Sequence, residues 1–252
     1  MYITKEDTQS TLIKMTEFYQ GLKAHIDKFE MPLEANLGRR NIFMSAAQEE
    51  FLARVLSKKY NNVVSDGAPG MPDVYIEDIN KEIECKLTTV NKSGSLNFQT
   101  DYETLMQKKS LDYLYIIASP EFDKFSVLLF EGLTVKDFRP LSPGSRGKVA
   151  MKKHMGMKKC TVLWGSVVNK NEIELQKIDN LIGEARAKFD LVEETVAKKL
   201  LAATSPKEIQ KLNARLPREK ALLQKKLDRF LARKKFWLTD PGKYSFILEN
   251  AL

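Results

Sequence analysis

Gly67-Ala-Pro-Gly-Met-Pro72 is a stretch that no helix can traverse, because its prolines lack amide donors and its glycines favour turns. A new element must therefore start at Asp73. Asp73-Val-Tyr-Ile-Glu77 reads as a short strand and Asp78-Ile-Asn80 as a turn. Lys81–Thr89 then alternates Ile83, Cys85 and Leu87 against Glu82, Glu84, Lys86 and Thr88, the period of a half-buried strand. So short a turn makes the two strands antiparallel neighbours.

The surrounding elements set the fold class. Residues 4–29 carry Leu12, Ile13, Met15, Phe18, Tyr19, Leu22 and Ile26 near helical spacing. Pro32 and Gly38 punctuate the chain, and a helix is expected over Ser45–Ser57 with Ser45 as its N-cap. Asn61–Ser65 reads as a strand, Asn91–Ser95 as a polar loop, Asp101–Ser110 as a helix, and Tyr113–Ala118 and Phe125–Phe130 as apolar strands. This order predicts an α/β fold with a central mixed β-sheet flanked by helices. Ser142–Lys148 marks a change of composition and opens a basic loop, Arg146–Lys159, before one more strand over Cys160–Val168. From Asn171 to Phe236 the sequence is helical and lysine-rich, with Pro206 and Pro217 expected to cut it into three pieces. Ser205 suits a cap there, with Pro206 in the first turn. Tyr244–Leu252 has no clear assignment. The expected division is a core over residues 1–168 and a helical basic region, for DNA binding or dimerisation, over 169–252.

Composition narrows the class. The 252 residues are 43% hydrophobic and 29% charged, an ordinary globular balance. Only Cys85 and Cys160 are present, which excludes a disulfide scaffold or a paired-cysteine zinc site and suits a reducing compartment. No apolar run is long enough to span a bilayer and the first ten residues have no signal-peptide character, so no membrane and a cytoplasmic setting are expected. The net charge of +8 is unevenly spread: residues 1–140 hold 17 basic and 21 acidic side chains, residues 141–252 hold 24 and 12. A strongly basic second half suits a polyanionic partner.

The chemistry-bearing constellation lies on the two paired strands. Glu84 and Lys86 are two apart and share a face, and the antiparallel turn brings Asp73 close to them. Two carboxylates suit a hard cation such as Mg²⁺, and an ammonium beside them can orient water or stabilise transition-state charge. The plain alternative is an exposed hairpin with alternating charges on its wet face, to which Lys81 and Glu82 would also belong.

The motif Pro72-Asp73-x(10)-Glu84-Cys85-Lys86 resembles the active site of the PD-(D/E)xK nuclease superfamily, which includes most type II restriction endonucleases. The order of helix, Asp strand, ExK strand, helix and strand over residues 45–118 resembles it too. The resemblance implies a restriction-endonuclease-like core and Mg²⁺-dependent cleavage of double-stranded DNA by a homodimer encoded by a prokaryotic cell or a phage. It implies Asp73 and Glu84 as metal ligands, the Cys85 carbonyl as a further one, and Lys86 as the catalytic lysine. It also implies a carboxylate from the preceding helix: Glu50, at the border of the apolar face, is taken, with Glu49 as the alternative. A glutamine contribution would fall to Gln99 or Gln107. Phosphate contacts are expected from Asn91, Lys92, Ser93 and Ser95 and from Arg146, Lys148, Lys152, Lys153, Lys158 and Lys159.

Other chemistries fit less well. His25 and His154 are far apart, which disfavours a histidine-based nuclease or zinc site. Gly144–Lys148 lacks the spacing of a P-loop. Cys85 alternates inward and reads as a buried thiol, not a nucleophile. Ile173, Leu175, Ile178, Leu181 and Ile182 are a candidate dimer seam. Two further readings stay open: a structure- or end-directed repair or recombination nuclease with the same site, and a non-catalytic nucleic-acid-binding protein.

Overall fold

The computed structural model describes residues 1–68, 70–90, 96–239 and 243–251. The chain divides into two compact units, one of residues 1–168 with 244–252 and one of residues 169–243. The last strands, grouped with the helical region on sequence grounds, thus return to the first unit.

The first unit is an α/β layer structure. Its elements are α1 (Lys5–Asp27), α2 (Leu37–Leu56), β1 (Val63–Val64), β2 (Val74–Ile76), β3 (Lys81–Thr89), β4 (Gln99–Asp101), α3 (Tyr102–Lys108), β5 (Leu111–Ala118), β6 (Lys124–Leu133), β7 (Lys148–Ala150), α4 (Lys153–Gly156), β8 (Cys160–Trp164), β9 (Ser166–Asn169), β10 (Tyr244–Ile247) and β11 (Glu249–Asn250). The main sheet runs β1-β2-β3-β5-β6, with β8 and β11 both paired to the far side of β6. β3 and β5 are parallel, and the other pairs of this sheet are antiparallel. The mixed sheet has helices on its faces, as the element order predicts.

Both faces of the sheet are buried near its centre. On one face Ile83, Cys85, Leu114 and Ile116 pack against Leu12, Met15, Met44 and Leu52 of α1 and α2. On the other, Tyr113, Tyr115, Leu128 and Phe130 pack against Phe98, Leu105, Val149 and Met151. All eight residues of β5 are accordingly buried, which is why its sequence shows an apolar run and no alternation.

Several expectations are corrected. α2 begins at Leu37, not at Ser45: Asn36 caps it by accepting a hydrogen bond from the Arg39 amide (3.1 Å). Ser45 lies inside the helix and donates to the Ile42 carbonyl. Gly38 does not break the chain; a Cβ there would meet the capping Asn36 oxygen at 3.3 Å. The strand expected over Cys160–Val168 is two strands, split at Gly165 with φ +68°. A Cβ at Gly165 would stand 2.4 Å from the Ile247 carbonyl, so the returning tail requires glycine there.

Arg40 anchors α2. It is fully buried, donates from Nη1 to the carbonyls of Ser119 (3.1 Å) and Pro120, and from Nη2 to Thr89 Oγ1 (2.7 Å) and Asn41 Oδ1 (3.0 Å). Its guanidinium also lies 5.0 Å from the Phe122 ring centre. One side chain thereby ties α2 to the end of β3 and to the β5–β6 turn.

The second unit is a hairpin of α5 (Lys170–Ala202) and α6 (Pro206–Thr239). Arg233 pairs with Glu174 (2.9 Å) and Lys234 with Asp179 (2.6 Å) near the start of α5, while Lys220 pairs with Glu193 further along it, so the helices run antiparallel. Ile178, Ile182 and Trp237 form its buried centre, with Leu175, Leu227 and Phe230 beside them. Leu175, Ile178 and Ile182 of the expected dimer seam are therefore occupied within the chain. Pro206 opens α6 as expected, but Pro217 does not break it. A proline inside a helix costs about 3 kcal/mol. Contacts on both sides hold α6 through it: Leu212 is buried, and the Lys220 ammonium sits 5.2 Å from the Phe189 ring centre.

Arg40→Met keeps the volume but leaves the Ser119 and Pro120 carbonyls without their donor. We expect a loss of about 2–4 kcal/mol in urea unfolding; a loss under about 0.5 kcal/mol, the range of ordinary surface substitutions, would refute the anchoring role.

Candidate functional site

The β2–β3 ladder pairs Val74 with Ile83 and Ile76 with Lys81. Continued by one residue, that register sets Asp73 opposite Glu84. Backbone pairing ends there, and the Asp73 carboxylate replaces it: Oδ2 accepts a hydrogen bond from the Cys85 amide at 2.7 Å. The Cys85 side chain points the other way into the core, as its alternation predicts.

Lys86 closes the group. Its ammonium lies 3.1 Å from Glu84 Oε2 and 3.5 Å from Asp73 Oδ2. The three side chains keep 32% (Lys86), 13% (Glu84) and 25% (Asp73) of their surface exposed, too little for the wet face of a free hairpin and enough for a solute to reach them. Burial disfavours the Lys86 charge, but Asp73 and Glu84 outweigh it and hold the ammonium above its ordinary range. Burial pushes the Glu84 carboxyl up, with the Lys86 ammonium opposing and the Asp73 charge adding. By contrast Glu82, on the same face of β3, is engaged by Lys108 at 2.8 Å.

The helix contributes Glu49. Gly38, Asn41, Ile42, Ser45 and Glu49 recur at helical spacing and line a cleft of about 470 Å³ together with Asp73, Cys85, Lys86 and Leu87. The next-door residue Gln48 is buried and donates to the Leu114 carbonyl (3.1 Å), which locks this turn of α2 onto the sheet. Burial, followed by the charges of Asp73 and Glu84, lifts the Glu49 carboxyl to about 7, with Lys86 opposing. Glu50 faces away. It is exposed and forms an ion pair with Arg54 at 2.6 Å. Of the two helix carboxylates, the structure brings Glu49 to the cleft and leaves Glu50 out of it. The signal for Glu49 was the helical phase running from Gly38, hidden by starting the helix at Ser45.

The remaining expected contacts are dispersed. Asn91, Lys92, Ser93 and Ser95 lie outside the described residues. Arg146 and Lys158 are exposed, as is Lys148, which stands on β7 opposite Asp101. Lys152 is half-buried and donates to the Lys136 carbonyl (3.0 Å). Lys153 is half-buried too, and burial and Arg139 lower its ammonium. Lys159 is a structural residue, bound to Asp137 (2.8 Å) and to the Gly132 carbonyl (2.7 Å). Gln99 and Gln107 are not among the residues lining the cleft.

Three carboxylates facing one ammonium leave a surplus of negative charge, and every candidate ligand atom is a hard oxygen. That donor chemistry fits Mg²⁺ and not a soft metal. Among the described residues no three His, Cys, Asp or Glu side chains form a ready metal cage. Among the described residues no helix is long and apolar enough to cross a membrane.

No protein-family model matches this chain, and no curated protein or solved structure matches it.

A carboxyl whose pKa is raised by folding destabilises the folded state once pH exceeds its unfolded value of about 4.3. The cost grows until pH passes the folded value, about 7 for Glu49. In EDTA, Glu49→Gln should therefore raise Tm at pH 8, and the gain should vanish toward pH 4. A pH-independent change in Tm would show that neither burial nor the neighbouring carboxylates raise the Glu49 carboxyl on folding.

Proposed function

We propose that this chain hydrolyses phosphodiester bonds of double-stranded DNA with Mg²⁺ at a defined sequence, as a type II restriction endonuclease does. The observation that carries the proposal is that Asp73, Lys86 and Glu49 line one cleft while Lys86 also pairs with Glu84 beside it. The residue just before β2, strand β3 and helix α2 supply them, and the motif Pro72-Asp73-x(10)-Glu84-Cys85-Lys86 supplies Asp73, Glu84 and Lys86. Supporting it further, α2, β2, β3, α3 and β5 occur in the order of the PD-(D/E)xK resemblance, with the short β4 between β3 and α3.

Asp73 and Glu84 would hold the cation, with the Cys85 carbonyl as a further oxygen. When bound, Mg²⁺ supplies charge neutralisation at the phosphate and a more acidic water. The chain's own residues do the rest. Asp73, held by the Cys85 amide, gives the site a fixed edge. Lys86, kept protonated by its two partners, offers donors to the attacking water and to the charge that builds on phosphoryl oxygen. Glu49, ionising near neutral pH, is placed to accept the proton that the water loses as its oxygen bonds to phosphorus. The 3′ oxygen that departs takes up a proton from solvent. Cutting both strands takes two such sites, and a second copy of this chain supplies the other.

The decisive assay is digestion of unmethylated phage DNA with Mg²⁺ or EDTA, beside Asp73→Asn, Glu84→Gln and Lys86→Ala. We expect discrete fragments only with Mg²⁺ and a fall of about 100-fold or more in each variant. Near-full cutting by any variant, or no cutting by the wild type, refutes the proposal. A Mg²⁺-dependent smear that needs Lys86 would keep the site and replace sequence-specific cutting with a repair- or recombination-type activity.

A further inference from the structure

Helix α6 carries eleven basic and three acidic residues, a net of +8 that equals the charge of the whole chain. α5 carries six basic and seven acidic residues, so the charge is not shared between the two helices.

Nine of the eleven cations of α6, all but Lys226 and Lys235, fall into two sets. Arg215, Lys220, Arg233 and Lys234 form ion pairs with Glu219, Glu193, Glu174 and Asp179. Lys207, Lys211, Arg218, Lys225 and Arg229 are exposed, and no ion pair is formed by any of them among the described residues. Their spacings of 4, 7, 7 and 4 residues place all five within about 40° of one another at 3.6 residues per turn. The side of α6 opposite this stripe carries Leu212, Leu227, Phe230 and Trp237, which are buried or half-buried against α5. Ala214, Ala221 and Ala232 lie alongside the stripe, and none of the three acids of α6 falls within it. From Lys207 to Arg229 it spans about 33 Å of helix axis, close to one turn of duplex DNA at about 34–36 Å.

We propose that this stripe is a binding surface for the sugar-phosphate backbone of duplex DNA, which makes contact without reading base sequence. The inference rests on DNA being the substrate class of the proposed activity, and it adds a surface and a mode of contact. Charge complementarity selects the occupant. A row of unpaired cations beside short side chains lets a polyanion approach closely, and releasing its counterions drives binding. An anionic membrane fits less well, because a helix lying on a bilayer inserts a broad apolar face, and that face of α6 is packed on α5. Leu222, 70% exposed, stands nearly alone among the stripe's cations.

The test is fluorescence anisotropy of the full-length chain on a labelled duplex of about 30 base pairs, in EDTA, across a series of salt concentrations. The variant combines Lys207→Gln, Lys211→Gln, Arg218→Gln, Lys225→Gln and Arg229→Gln. The control combines Arg186→Gln and Lys188→Gln on α5, and circular dichroism checks that both remain helical. At about 0.9 per phosphate contact, the plot of log Kobs against log[salt] should flatten by about 4 units in the variant and by no more than about 1 in the control. Equal flattening per charge removed in the control, an unchanged slope in the variant, or no binding by the wild type overturns the proposal. So does a variant that loses binding to anionic vesicles but keeps its DNA slope. The result is separable from cleavage: Asp73→Asn should keep the wild-type slope, and a chain that never cuts DNA but shows the stripe effect would retain this inference while losing the nuclease reading.

Discussion

A carboxylate closes the β2–β3 ladder, and the candidate site depends on that substitution of side chain for backbone. Past Val74 the two strands no longer exchange main-chain hydrogen bonds. The Cys85 amide would be left without an acceptor at a half-buried strand end, which costs about 1–3 kcal/mol. Asp73 Oδ2 satisfies it at 2.7 Å. The carboxylate is thereby fixed where Glu84 and Lys86 emerge from the next strand. The same bond serves strand pairing and site geometry, so neither can vary alone.

The rest of the fold keeps this edge rigid. β3 is parallel to β5 over seven registered pairs, and β5 is buried throughout. Arg40 fixes the start of α2 to the end of β3, and Gln48 fixes its middle to β5. Glu49 follows Gln48 and inherits that position. The tail contributes at the far edge. β11 pairs with β6, and the Trp164 indole donates to the Glu249 carbonyl at 3.2 Å. That return explains why Gly165 interrupts an otherwise continuous apolar segment.

How much of this was legible depends on the range of each interaction. Asp73, Glu84 and Lys86 could be grouped because a period of two fixes the face of each strand residue, and a short turn fixes the register. Cys85 could be placed in the core for the same reason. Glu49 was obscured by a local misreading: Gly38 looked like a break, yet it lies within the first turn of α2, where glycine costs little and leaves room for the Asn36 cap. Pro217 looked like a break too, because propensity was weighed without the α5 surface that holds α6 together. The β4–β7 pair and the tail strands join segments distant in sequence, and short edge strands carry no alternation long enough to read. The basic segment 146–159 shows the limit of composition: its charge is plain in the sequence, but Lys159 belongs to Asp137 and Lys152 to the Lys136 carbonyl.

Charge is segregated in a way that separates affinity from chemistry. α6 alone accounts for a net charge equal to that of the chain, so the remainder is neutral in sum. The candidate site is locally negative: Asp73 and Glu49 line the cleft with Lys86, and Glu84 pairs with Lys86 beside it. A cleft of that sign repels a phosphodiester until a divalent cation reverses it, whereas an exposed cationic stripe attracts the same polyanion without any metal. The two effects also differ in their screening. Exposed charges fade within about 8 Å at physiological salt, while half-buried ones at a desolvated strand end are screened far less. On the proposed reading, monovalent salt would govern binding at the stripe, and divalent cation would govern whether a phosphodiester can enter the cleft.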